Sequence, residues 1–346
     1  MKGAIFSRFE GPITIDVLPD PTPETDGVVV RVEATGLCRS DWHGWMGHDP
    51  DVALPHVPGH ELAGTIVAVG SAVRRWNTDD RVTVPFVAGC GRCQACRSGN
   101  EQVCANQFQP GFTAWGSFAG LVALRYADRN LVGVPEGVDI ATAATLGCRV
   151  ATAYRAVVDQ GRVARDEWVA VHGCGGVGLA AIMIAKAYGA RVVAVDPAAE
   201  ARAISEAIGA DRTIDPHAAA SLADAVRETT DGGPHLSIDA IGRPAVVAAS
   251  VASLRARGRH VQVGLLPPNE TSVPMGTVIG RELEILGSHG MQAHRYPELL
   301  GMILNGRLNA QSLVTRRIRL SDVPTELPAM AASKWPGMTV VDRLDE

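Results

Sequence analysis

Short β-branched runs punctuate the first 130 or so positions: ITIDV (13–17), VVVRVEA (28–34), GTIVAVG (64–70) and RVTVPF (81–86), separated by Pro, Gly and Asp. Runs of this length and composition predict strands joined by tight turns. The texture changes at Trp168. From there apolar strands alternate with helical stretches: WVAVH (168–172), a helix to about Tyr188, RVVAVD (191–196), a helix through Ile208, LSIDA (236–240) and HVQVG (260–264). Alternation of this kind predicts βαβ units on a parallel sheet. After LEILG (283–287), a helix near Pro297–Asn305 and an apolar strand near Met338–Val341 continue the alternation only weakly, so the tail is expected to return to the first domain. No internal repeat and no linker of disordered composition interrupts the pattern.

Composition narrows the classes. A chain of 346 residues has length for two cores, and 46% hydrophobic with 20% charged residues describes an ordinary globular protein. The net charge of −5 comes from 32 basic and 37 acidic residues without a polybasic block, which argues against nucleic acid or an anionic membrane as partner and for a small ligand. MKGAIFSRFEGPITIDV lacks the apolar core of a signal peptide, and no segment approaches ~20 uninterrupted apolar residues, so a cytoplasmic protein is expected. In that reducing compartment seven cysteines are metal ligands or buried thiols rather than disulfides.

HGCGGVG carries the cofactor signal. Gly173, Gly175 and Gly178 make G-x-G-x-x-G after a predicted strand and before a predicted helix, and Asp196 ends the next strand. The first glycine permits the turn, the second lets backbone approach a pyrophosphate, and the third lets helix pack on strand. Asp196 would accept hydrogen bonds from ribose hydroxyls and repel a 2′-phosphate, which favours NAD over NADP, although Arg202 lies close enough in sequence to reach the same place. Gly176 and Val177 within the loop, and Val263 in the later strand HVQVG, are further cofactor-binding candidates. Cys174 reads as a small buried residue.

The metal signal has two parts. CGRCQACRSGNEQVC spaces Cys90, Cys93, Cys96 and Cys104 as C-x2-C-x2-C-x7-C. Four thiolates close a tetrahedral zinc and leave no position for substrate, so this lobe (89–105) is structural. The second part is scattered: Cys38 in CRSDWH, His60 in GHE and Cys148 in GCRVATAY. Singly each would be a core residue. Together they form a Cys₂His set, whose open fourth position is the mark of a catalytic zinc.

With these motifs in this order, the sequence resembles the zinc-dependent alcohol dehydrogenases of the medium-chain dehydrogenase/reductase superfamily over its full length. The resemblance implies an α/β fold: a GroES-like, β-rich catalytic domain from both chain ends (1–150 and 289–346) with a Rossmann NAD-binding domain (151–288) inserted. It implies two zinc ions per chain, NAD, a homo-tetramer, and reversible oxidation of a primary, aromatic or secondary alcohol to an aldehyde or ketone. Glu61 would lie behind the catalytic zinc as an exchange ligand, and Asp41 would fix the tautomer of His60. Thr152 would touch the nicotinamide ring or cap a helix. Ser40 and His43 would relay the alcohol proton to solvent. Trp45, Phe86 and Trp115 would wall an apolar substrate pocket. His289 faces the cleft or stands on a surface loop. Some relatives have Gly-Arg, with the Arg on the cofactor pyrophosphate, where this chain has Gly337-Met338, so weaker cofactor grip is expected.

Two rivals have less support. A zinc-free quinone or enoyl reductase of the same superfamily would lack the ligands that this chain retains. A non-catalytic zinc ribbon would pair two CxxC knuckles ~15–20 residues apart and carry a basic face, which the single lobe in an acidic chain does not.

Overall fold

The computed structural model describes residues 1–267, 271–332 and 335–344. Its inner half is a six-stranded, all-parallel sheet in the order Arg212–Ile214, Arg191–Val195, Trp168–His172, Leu236–Asp239, Arg259–Gln262 and Glu284–Gly287. Trp168–His172 is buried along its whole length, as a central parallel strand must be when helices cover both faces. The chain runs outward from this strand to Arg212–Ile214, then returns to the other side at Leu236–Asp239. The strand order therefore reverses between Trp168–His172 and Leu236–Asp239, and a crevice forms at their C-terminal ends. Helix Gly176–Ala187 opens there. Its residues 178–185 are all buried, because it is wedged between this sheet and helix Arg149–Tyr154.

The seven-stranded sheet is built from both ends of the chain. Val28–Leu37 pairs antiparallel with Glu61–Val69 and with Leu121–Leu124, and Arg81–Thr83 and Val132–Gly133 extend the sheet on one side. On the other side Met338–Arg343 pairs antiparallel with Val28–Leu37, and Val314–Arg319 pairs parallel with it. The tail thus returns to the first domain. The chain has two main cores: one under this sheet, from Ala4 and Phe6 to Val341 and Leu344, and one running through the parallel sheet and its helices.

One core residue has a measurable consequence. His172, at the end of the central strand, is buried, and neither ring nitrogen has a hydrogen-bond partner. Burial, with a smaller contribution from His260, depresses its pKa from 6.5 to about 3. The folded state therefore holds the ring neutral while the unfolded chain protonates it near its ordinary value. The contribution is fully present above about pH 6.5 and declines as pH falls toward 3, by up to ~1.4 kcal/mol per pH unit. His172→Leu is expected to move the acid-unfolding midpoint to lower pH, followed by circular dichroism. Coincident acid transitions for the variant and the parent would refute the assignment.

Candidate active site

Two strands bring the scattered ligands together. Gly36 is opposite Glu61 in the antiparallel pair, so the end of Val28–Leu37 lies beside the start of Glu61–Val69. Cys38 follows the first strand and His60 precedes the second; Cys148 caps helix Arg149–Tyr154. The two Sγ atoms and an imidazole nitrogen lie within 4.8 Å of one another.

Asp41 locks the arrangement. Its Oδ1 accepts from His60 Nδ1 at 2.8 Å and from the Gly59 amide at 3.0 Å, while its Oδ2 accepts from the Cys38 amide at 2.9 Å. His60 is thereby fixed with a proton on Nδ1, leaving Nε2 as the donor atom. That Nε2 is buried and has no protein partner, which fits a metal. The thiols share a hydrogen bond that holds Cys38 well below its ordinary pKa, against burial, and pushes Cys148 well above it, with burial adding to the rise. Two soft sulfurs and one imidazole suit zinc.

In the cysteine lobe the four sulfurs of Cys90, Cys93, Cys96 and Cys104 also lie within 4.8 Å of one another. Against burial, the amides of Arg92 and Cys93 draw the Cys90 thiol down to about 6. Outside residues hold the lobe in place: Asn130 bonds both polar groups of the Gly89 backbone, Arg129 donates to Cys96 O, and Gln292 donates to Gly99 O. A closed four-thiol cage belongs to a structural metal.

The glycine loop behaves as its spacing predicts. Gly173 has φ +90°, and a Cβ on Gly178 would sit 1.7 Å from Gly173 O, so neither tolerates a side chain. A Cβ on Gly175 would meet nothing within 4 Å, because this position faces open space at the head of helix Gly176–Ala187, where a phosphate would lie. Asp196 is held at the same rim, accepting from the Cys174 amide and the Ala198 amide, both at 2.8 Å. Arg202 donates to the carbonyls of Asp196 and Pro197 and pairs with Asp215 at 3.4 Å. These glycines, Val177 and Asp196 line a cavity of about 350 Å³. A second cavity, of about 290 Å³, shares Cys38, Arg39, Val177, Ala240 and Ile241 with it and contains all three candidate ligands.

The second cavity collects most of the remaining candidates. Ser40, His43, Phe86, Thr152, Val263 and His289 all line it. Ser40 Oγ is 3.8 Å from Cys38 Sγ, and His43 Nδ1 is 2.9 Å from Nδ1 of the exposed His48. Phe86 stands between the rings of His60, at 6.0 Å, and His289, at 5.1 Å. The expectation for Trp45 and Trp115 is corrected: neither lines the cavity. Trp45 donates to Gly11 O and packs on the core, because on helix Arg39–Trp45 it sits two positions beyond His43, on another side from Ser40 and His43. Trp115 donates to Pro55 O and packs against Leu18, Val57 and Ala119.

The GroES-like domain model of the alcohol dehydrogenases matches residues 24–136, and the zinc-binding dehydrogenase model matches residues 176–305. The chain is 34% identical over 290 residues to an alcohol dehydrogenase of Geobacillus stearothermophilus, covering 83% of this chain and 84% of the relative. Alcohol dehydrogenase TADH from Thermus sp. ATN1 superposes with a TM-score of 0.91 over 99% of this chain and 100% of its own, at 26% identity. A structure described as an NAD-dependent alcohol dehydrogenase gives a TM-score of 0.89 at 28% identity, over 99% of each chain. The chain is a zinc-type medium-chain dehydrogenase/reductase.

Within this dehydrogenase, one residue absent from the sequence reading joins the two halves of the site. Arg149 is buried and forms an ion pair with Glu61: Nε is 2.9 Å from both carboxylate oxygens, Nη2 bonds Oε2, and the Arg149 amide donates to Oε1 at 2.8 Å. Gly36 makes room, since a Cβ there would collide with Glu61 Oε2 and Arg149 Nη2. Glu61 is therefore turned to Arg149, and its use as an exchange ligand requires these bonds to open. The guanidinium also reaches the glycine loop, where Arg149 Cδ lies 2.6 Å from the place a Cβ on Gly176 would occupy. A cation thus borders the phosphate cavity, whereas Met338 is buried and does not line it. Phe112, whose ring is 5.2 Å from that of His60, and Gln109 also line the active cavity. No periodicity or motif marks either of them in the sequence.

Proposed function

We propose that this protein is a zinc-dependent alcohol dehydrogenase that reversibly oxidises a small alcohol to an aldehyde or ketone, with NAD as hydride acceptor. The observation that carries this reading is the wall the two cavities share, Cys38, Arg39, Val177, Ala240 and Ile241: one cavity is lined by Cys38, His60 and Cys148, and the other by the glycine loop. When bound, zinc held by Cys38, His60 and Cys148 would supply Lewis acidity toward the alcohol oxygen, and NAD would supply the hydride acceptor. The hydroxyl proton is the other product of the oxidation and has to leave the cleft.

The chain's own groups serve that exit. Asp41 keeps His60 oriented so that its unpartnered nitrogen faces the donor set. Ser40 presents a hydroxyl beside Cys38, and His43 follows one turn later on the same face of the helix. Burial, then the nearby His48 and Arg39, lower the pKa of His43 and keep the ring neutral near pH 7, able to take a proton on its way to solvent past the exposed His48. Phe86 and Phe112 flank the reacting end and keep it dry. Asp196, fixed by two amides, favours NAD over NADP.

The catalytic unit in this reading is 1–150 with 289–346, the cofactor unit is 151–288, and the assembly is a tetramer. A cytoplasmic location is part of the same reading; no helix among the described residues is long and apolar enough to cross a membrane. Metal analysis of the purified protein is expected to return two zinc per chain, one for each of its two donor groups. A single zinc would mean that one group is not a metal site. Absorbance of NADH formed with primary, secondary and aromatic alcohols, run with NAD and NADP side by side, tests the activity; no turnover of any alcohol with either cofactor would reject it.

A further inference from the structure

The active cavity is less apolar than three aromatic walls would make it. With Trp45 and Trp115 elsewhere, its lining holds two aromatic side chains, Phe86 and Phe112, together with the amide of Gln109. Gln109 is 9% exposed, and its side-chain amide has no hydrogen-bond partner among the described residues. Its backbone is fully engaged: the amide nitrogen donates to Thr113 Oγ1 at 2.9 Å, and the carbonyl accepts from the Phe112 and Thr113 amides. The polar group offered to the cleft is therefore the carboxamide, with one acceptor and two donor hydrogens.

The amide is held on a rigid support. The turn that carries it is pinned by Gly111 N to Ala114 O and by His56 Nε2 at 2.9 Å from Gly111 O. It is docked on the residue before His60, because a Cβ on Gly111 would lie 2.6 Å from Gly59 O. The turn that carries Gln109 is thus docked on Gly59, the residue before His60. The amide lines the cavity without a protein partner, and its complement there is a ligand group that can both donate and accept. Apart from the metal donors and the histidines, the charged side chains lining the cavity are Arg39 and Asp49, which have opposite signs.

We infer that the preferred substrate carries a second, uncharged hydrogen-bonding group close to the reacting carbinol, as in a vicinal diol or a hydroxyketone, and that Gln109 selects it. The inference rests on the alcohol dehydrogenase activity proposed above and adds a substrate class to it. The volume of about 290 Å³, shared with the cofactor's reactive end, keeps that substrate small. Phe86 and Phe112 pack its carbon skeleton while Gln109 takes the extra hydroxyl or carbonyl.

The test compares kcat/KM of the zinc-loaded enzyme with NAD on 1,2-propanediol against 1-propanol and 2-propanol. The wild-type enzyme is expected to prefer the diol by about tenfold or more, the scale of one well-placed neutral hydrogen bond inside a site. In Gln109→Leu, which keeps the volume and removes the amide, that ratio is expected to fall to about one. A wild-type ratio of one or less overturns the inference without any variant, and an undiminished ratio in Gln109→Leu overturns the role of this residue. In both cases turnover of the mono-alcohols leaves the alcohol dehydrogenase reading standing. Failure of all three alcohols to reduce NAD removes that reading and this inference together.

Discussion

Cys38→Ser is expected to lower kcat/KM for alcohol oxidation by more than ~100-fold and to leave one zinc per chain instead of two. Changes to residues that only orient metal ligands already cost ~10–100-fold, and this change removes a ligand. Serine fills nearly the same space but stays protonated at neutral pH and is a poor donor to zinc. The remaining pair, His60 and Cys148, lacks the third corner of the site. The cysteine lobe has its own four sulfurs and keeps its ion. The fold is expected to survive, since Asp41 accepts from the backbone amide of residue 38 rather than from its side chain. Zinc analysis, alcohol oxidation and NADH fluorescence on the same preparation separate the outcomes. Lost activity with one zinc and retained NADH binding supports the assignment; wild-type turnover would take Cys38 out of the metal set.

The legible and illegible parts of this molecule differ in the range of the interactions that made them. Local pattern sufficed for most of the parallel sheet: WVAVH, RVVAVD, LSIDA and HVQVG all became strands, because buried parallel strands need unbroken apolar runs, whereas the three-residue edge strand Arg212–Ile214 was passed over. The glycine loop was legible for the same reason, since each glycine answers a steric demand within a few residues. Trp45 was misplaced by a rotation. Ser40 and His43 are three apart and share a helix face, and an aromatic two positions further on does not. Leu121–Leu124, Val132–Gly133 and Val314–Arg319 were passed over because they are short or polar and owe their pairing to strands far away in the chain. Gln109 has no local signature at all; its place comes from a turn docked on Gly59.

Arg149 is the residue that sequence pattern conceals most completely, since its partner is 88 positions away and an arginine opening a helix ordinarily reads as a surface residue. Arg149→Met is expected to destabilise the protein by about 3–5 kcal/mol, because it leaves the buried Glu61 carboxylate without its counter-charge. Burial raises the pKa of Glu61 and the Arg149 charge opposes that rise, so Glu61 depends on Arg149 to remain ionised. Both side chains are at most 7% exposed, so solvent screens the pair little. Adding Glu61→Gln removes the stranded charge and keeps an acceptor for the Arg149 amide. The double variant is therefore expected to be more stable than Arg149→Met alone, with a coupling of at least ~1 kcal/mol in the double-mutant cycle. Chemical denaturation of the zinc-loaded proteins, followed by circular dichroism, reads all four corners. A loss below ~1 kcal/mol for Arg149→Met, or additive effects of the two changes, would mean that Glu61 does not depend on this arginine and is free to turn toward the metal donors.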